Sequence, residues 1–183
     1  MFLRLALVST LILLFTSCGI SISPKKQEGK KITILSGKSL NAKATNAKIL
    51  DIFKTVNASY TKSLTKELHS KGAIAKAEFY LGNRKDIYNY MAKNFVKDRP
   101  DSSIIIRIEY SKDKNNPLHL ITEYYDLIYS KNKQGKENIK FDKKWIKTFS
   151  LINAQTKQFT TLPVSEMAHI AVKEFHQLKL LHK

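Results

Sequence analysis

Cysteine, acidic residues and long apolar runs are all scarce in this chain of 183 residues. A single cysteine cannot form an internal disulfide, and it excludes zinc sites that are built from several cysteines. No apolar segment reaches the roughly 20 residues that a membrane-spanning helix needs, which excludes a protein with several membrane spans. No P-loop and no G-x-S-x-G motif occurs. Hydrophobic residues nevertheless make up 43% of the chain, as in a globular protein.

Residues 1–17 have the organisation of an export signal. Arg4 supplies a positive charge, and the apolar stretch from Leu5 to Phe15 has the length expected of a signal-peptide core. The segment FTSC that ends at Cys18 resembles the lipobox of bacterial lipoproteins, in which small residues precede an invariant cysteine. The alternative is a plain secretory signal that is followed by a chance cysteine.

The lipobox resemblance implies cleavage before Cys18, lipidation of its thiol and acylation of the new amino terminus. A thiolate is the nucleophile that this lipidation requires, and two or more acyl chains give stable membrane anchoring. Gly19 stands where enterobacterial lipoproteins retained at the inner membrane carry aspartate. We therefore expect a protein anchored in the outer membrane and facing the periplasm, or in the cell membrane of an organism without an outer membrane.

The remainder divides into a short tether and one domain. Residues 18–31 are rich in serine, proline, glycine and lysine without a period, which predicts a flexible lipidated tether. Residues 32–183 are expected to form a single α/β domain, which is large enough to fold without disulfides or metal.

Hydrophobic periodicity predicts the order β-α-β-α-β-β-β-β-α. Helices are expected over 49–68, over 83–96 and from residue 163 onward. Strands are expected over 32–35, 75–81, 103–110, 118–129, 139–152 and 158–162. Such an order predicts an α+β two-layer sandwich, with a mixed and mostly antiparallel sheet and helices on one face. Five residues of the fifth strand share one parity and are expected on one buried face: Ile139, Phe141, Trp145, Phe149 and Leu151.

The order of these elements resembles a family of envelope proteins. The segment YTKSLTKELHSKG over 60–72, Trp145 on a late strand and a terminal helix over 165–181 are similar to the amino-terminal domain of TolB and to auxiliary lipoproteins of lipid-transporting ABC systems. The pair Cys18-Gly19 and the basic charge also resemble the lipopolysaccharide-assembly lipoprotein of the outer-membrane translocon. The first resemblance implies a non-catalytic periplasmic domain that docks on an envelope protein complex.

The formal net charge of +17 is the strongest feature of the composition. Nearly all of the positive residues are lysines, which are poor at bidentate readout of bases, and export also disfavours nucleic acid as a partner. A basic surface instead attracts anionic lipid or polysaccharide of the envelope. The densest run predicts such a surface at Lys131, Lys133, Lys136, Lys140, Lys143, Lys144 and Lys147.

Two further interpretations compete with the docking function. One is paired-carboxylate catalysis by two of the acidic residues on or near strands, Glu109, Glu123, Asp126 and Asp142. The other is a lipid- or glycan-binding module whose pocket is lined by Tyr124, Tyr125, Tyr129 and Trp145. The five histidines lack the spacing of a zinc helix. We expect no catalytic residues, no metal and no cofactor.

We expect Cys18→Ser to abolish membrane anchoring, because serine offers no thiolate for lipid transfer. Labelled palmitate should enter the wild-type protein and not the variant, and the variant should leave the membrane fraction. Palmitate found on the variant, or an unlabelled wild-type protein, would contradict the lipobox assignment.

Overall fold

The described part of the chain forms a mixed sheet of five strands with helices on both faces. The computed structural model describes residues 29–37, 47–80, 86–110, 118–152 and 163–182. In chain order the elements are β1 (Lys31–Gly37), α1 (Ala47–Ser70), β2 (Ile74–Tyr80), α2 (Ile87–Asp98), β3 (Ser102–Tyr110), β4 (Leu118–Lys131), β5 (Glu137–Ser150) and α3 (Val164–Gln177). The export signal, the lipobox and the strand predicted over 158–162 lie outside the described residues.

The strand order is β2-β1-β3-β4-β5. β1 pairs in parallel with both β2 and β3, whereas β3 with β4 and β4 with β5 pair antiparallel over longer stretches. The predicted α+β fold with a mixed sheet is therefore confirmed. The sheet is open, and within the described residues β2 and β5 are its edges.

Two hydrophobic clusters lie on opposite faces of this sheet. On one face α1 and α3 cover β1 and β3, with Ile34, Leu64 and Phe175 fully buried among them. On the other face α2 buries Phe95 against Ile105 of β3. The expectation that all helices lie on one face is thus wrong for α2.

The path of the chain explains the position of α2. Connections between parallel strands are right-handed almost without exception. The chain moves outward from β1 to β2 and then returns past β1 to β3, so the two crossovers run in opposite directions. Right-handed crossovers in opposite directions place their helices on opposite faces. Burial of the interior strand β1 on both faces follows from this arrangement.

A β-bulge divides β5 into two halves that face opposite ways. Tyr124 of β4 pairs with Trp145, but the next residue, Tyr125, pairs with Lys143, so Lys144 is an extra residue in the ladder. An inserted residue reverses the alternation of side chains beyond it. The single buried face predicted for this strand is therefore wrong.

The two halves of β5 contribute to different clusters. Ile139 and Phe141 pack on the α2 side of the sheet. Trp145, Phe149 and Leu151 pack on the side of α1 and α3. The sequence signal was misleading because all five residues have odd numbers, and alternation alone does not reveal an inserted residue.

Lys30 is part of the folded body rather than of the tether. Its Nζ lies 2.8 Å from Asp126 Oδ1 and donates a hydrogen bond of 2.9 Å to the carbonyl of Leu180. Its own carbonyl accepts a hydrogen bond of 2.9 Å from the backbone N–H of Ile74. The body therefore includes Lys30 and Lys31, and the predicted boundary at residue 32 lies too late.

Deletion of Lys144 should unfold the protein, because one half of β5 must then turn its apolar residues away from its cluster. We expect a loss of more than about 4 kcal/mol in the free energy of unfolding. Lys144→Ala keeps the residue count and should leave stability nearly unchanged. Urea denaturation followed by the fluorescence of Trp145 measures both. Similar stability of the deletion variant and the wild type would show that the bulge is dispensable.

Candidate functional site

Ion pairs neutralise three of the seven lysines in the predicted anionic-partner surface. Lys143 Nζ lies 2.5 Å from the carboxylate of Glu123, and Lys144 Nζ lies 2.6 Å from that of Asp142. Lys147 is paired with Glu174 of α3. Because the bulge separates them, Lys143 and Lys147 also belong to opposite faces of the sheet. The seven lysines therefore do not form one continuous surface.

The other four lysines lie around the turn between β4 and β5. The side chains of this group, Lys131, Lys133, Lys136 and Lys140, are exposed, and in the described part of the chain none lies within 4 Å of a carboxylate oxygen. Asn132 Oδ1 accepts hydrogen bonds from the backbone N–H groups of Gln134 and Lys136, and Gly135 adopts a left-handed φ of 77°. A hydrogen-bonded turn thus presents these lysines to solvent.

Glu123 is a buried carboxylate held between two cations. Its side chain is 3% exposed and is paired with Arg107 and Lys143, while Arg107 Nε also lies 2.7 Å from Glu109. Burial acts to raise the pKa of Glu123, but the hydrogen bond from Lys143 and the charge of Arg107 outweigh it and hold that pKa below its usual value. This carboxylate is therefore kept ionised.

The remaining acidic candidates are also paired with positively charged side chains. Asp126 contacts Lys30 and accepts a hydrogen bond of 2.8 Å from the hydroxyl of Ser102. Asp142 is paired with Lys144, whose hydrogen bond lowers the pKa of that carboxyl. Each of the four carboxylates that the sequence singled out is bound by a cation.

The four aromatic residues predicted to line a pocket are divided between the two faces. Tyr124 and Trp145 pack against Phe175, with ring centroids 5.0 and 4.7 Å apart. Tyr125 and Tyr129 lie on the α2 side, where burial raises the pKa of Tyr129 to about 12. The predicted aromatic pocket is therefore not formed.

Sequence reasoning missed an open groove between α1 and the edge strand β2. It has a volume of about 530 Å³. Ala77 and Phe79 of β2 form its floor, and the α1 residues Thr61, Lys62, Thr65, Lys66 and His69 form its wall. Alanine at position 77 leaves a trough that a larger side chain would fill. The only signal in the sequence was the alternation of alanines at positions 75 and 77.

The outer edge of β2 borders this groove. Within the described residues β2 pairs only with β1, so the other side of its backbone has no strand partner. Phe79 is 54% exposed, and Ile74 is 53% exposed. Lys76, which could protect such an edge, is paired with Glu78 and Asp98. The outer edge of β2 thus combines backbone hydrogen-bonding groups with the exposed apolar side chains of Ile74 and Phe79.

Four of the five histidines contact other residues, whereas Nδ1 of His119 is buried without a hydrogen-bond partner among the described residues. His69 Nε2 lies 2.9 Å from the carbonyl of Ala75, His169 lies 3.3 Å from Glu67, and His176 packs against His182. No cluster of three metal-ligating side chains occurs among the described residues. In the same residues, no helix combines the length and the apolar character needed to cross a membrane.

Comparison with known proteins adds no assignment. No protein-family model matches the chain, and no curated protein is significantly similar to it. A functional proposal therefore depends on the residues and contacts described above.

We expect Glu123→Gln to lower the free energy of unfolding by about 3 kcal/mol near neutral pH, because Arg107 and Lys143 lose their shared counter-ion. Since the pKa of Glu123 is lower in the folded than in the unfolded state, its stabilisation is present above about pH 4.3 and is lost as the pH falls through the folded value. The variant should lack this part of the acid dependence. Urea titrations at several pH values measure it.

Asp142→Asn is the matched control for that variant. It also removes one carboxylate from an ion pair with a lysine of β5, but this pair is exposed. We expect a small effect on stability. A loss as large as that of Glu123→Gln would show that burial between two cations is not what makes Glu123 important.

Proposed function

We propose that this chain is a non-catalytic lipoprotein of the bacterial envelope. Its anchor is the lipid on Cys18, and its body docks on a membrane complex for transport or assembly. The lipobox and the order of elements support the anchor and the class. The groove beside the free edge of β2 is the observation that carries the docking function.

The edge of β2 suits an extended segment of a partner protein. A partner strand can add to an exposed sheet edge through main-chain hydrogen bonds, while its alternate side chains enter pockets on the face of the sheet. Here the trough over Ala77 offers such a pocket, and Phe79 offers an apolar contact beside it. Partner side chains at every second position would therefore meet α1.

The alternative function is a lipid- or glycan-binding module. The aromatic pocket on which this alternative was based is not formed, because Tyr124 and Trp145 are packed within the core. The groove has a volume within the range of small-molecule sites. A bound lipid or glycan would therefore occupy the same groove as the partner segment.

A photo-crosslinking residue at Phe79 should capture an envelope protein in living cells. The matched control is the same residue at Ile146, which is exposed to a similar extent on the opposite edge strand, β5. We expect crosslinks from position 79 and not from position 146. Cys18→Ser should abolish them, because the body then leaves the membrane. Equal crosslinking from both positions, or none from position 79, would contradict docking in the groove.

Native mass spectrometry separates the two functions. If docking is the function, the variant Ala77→Phe, whose groove is filled, should no longer crosslink to the partner protein. Under the alternative function, the wild-type protein should carry lipid or glycan that Ala77→Phe lacks. A co-purified small molecule without any crosslinked protein would replace docking with the binding-module function.

A further inference from the structure

One end of the body collects the residues through which the chain enters it. The amino-terminal ends of β1, β2 and β3 lie together, because these strands are parallel and Lys31 pairs with Ile74. The carboxyl ends of α1 and α2 directly precede β2 and β3. The segment after α3 reaches the same place, where Lys30 contacts the carbonyl of Leu180. We call this the tether end.

The turn between β4 and β5 projects from the tether end. β4 pairs with the first residue of β3 at Asp126 and then continues for five residues to Lys131. Five residues of strand extend about 16 Å. The hydrogen-bonded turn over 132–136 therefore lies beyond the start of β3, on the side from which the chain enters.

Lysines from separate segments meet at the tether end without matching carboxylates. The carboxylates there have partners already: Asp126 is paired with Lys30, Glu137 with Arg99, and Asp98 with Lys76. At this end, the exposed lysines for which the described residues offer no ion pair include six from the ends of the three helices and from the turn: Lys71, Lys97, Lys131, Lys133, Lys136 and Lys179. Their charge is exposed to solvent and is not neutralised within the described residues.

We propose that the tether end binds the surface of an anionic lipid bilayer, with the turn over 131–136 as its foremost contact. This inference rests on the proposed lipid anchor at Cys18. Gly29 is only eleven residues beyond Cys18, so their Cα atoms lie at most about 40 Å apart whatever path the chain takes. The anchor therefore keeps the tether end within about 40 Å of the lipidated residue.

The range of the interaction fits the geometry. At physiological salt, charges act over about 8 Å, so only lysines at the foremost surface contribute. Each lysine that reaches an anionic membrane strengthens binding about fivefold. Lys131, Lys133 and Lys136 together should contribute about a hundredfold. Lysine is suited to this contact, because a headgroup surface presents many phosphates and requires no bidentate geometry.

A fluorescent label on Gln134→Cys tests the contact in the lipidated protein, where the thiol of Cys18 is consumed by the anchor. Vesicles of phosphatidylcholine with phosphatidylglycerol, and vesicles of phosphatidylcholine alone, both carry a headgroup quencher. We expect quenching at position 134 on the anionic vesicles, weaker quenching on the neutral ones, and release by high salt. The label on Ser165→Cys, at the opposite end of α3, should remain unquenched.

Charge variants show which lysines bind the anionic vesicle surface. The tip variant changes Lys131, Lys133 and Lys136 to Gln, and the control changes the exposed Lys54, Lys93 and Lys173 to Gln, so both lose three positive charges. Only the tip variant should lose quenching at position 134. Equal loss in both variants would reduce the effect to net charge and overturn the proposal, as would equal quenching on neutral and anionic vesicles.

The proposed anchor at Cys18 and the proposed membrane-binding surface can be disproved independently. Mass spectrometry of the purified protein shows whether Cys18 carries lipid. If it does not, the proposed anchor fails, and the chain carrying Cys18→Ser with Gln134→Cys is mixed with the same vesicles. Binding to anionic vesicles that the tip variant weakens about a hundredfold still supports the surface. No binding above that to neutral vesicles would overturn it.

Discussion

The extra residue at Lys144 is the constraint on which most of the structure depends. It turns β5 over in mid-strand, so that Phe141 packs under α2 while Trp145 packs under α3. Both hydrophobic clusters are completed by this one strand. The same reversal directs Lys143 to Glu123 and Lys147 to Glu174. The bulge thereby separates structural lysines, which stabilise the two faces, from the lysines of the turn, which remain in solvent.

Local periodicity was sufficient for most of the elements. Tyr60, Leu64 and Leu68 follow the helical repeat and are fully buried in α1. Alternation also placed β3 correctly, because Ile104, Ile106 and Ile108 face one cluster. The face covered by α2 was not predictable from local pattern. It depends on the strand order, which is a property of the whole sheet.

The candidate site was less predictable for a related reason. Lysine density identifies charge but does not show which carboxylate lies across the sheet, so Lys131 and Lys143 looked equivalent. Register decides between them, because Lys143 is placed beside Glu123 by the bulge. The groove over Ala77 was hidden because a small residue carries no signal by itself. It becomes a trough only when α1 forms the opposite wall.

The position of Lys30 has a mechanical consequence. A force applied through the residues that precede Gly29 enters the body at β1, the strand that lies between β2 and β3. When the opposing force acts at the other end of the sheet, the hydrogen bonds of β1 to both neighbours are loaded in shear, all together rather than one after another. The contact of Lys30 with Asp126 and with the carbonyl of Leu180 resists the first displacement. In that direction of pulling, β1 cannot be unzipped from its neighbours one hydrogen bond at a time.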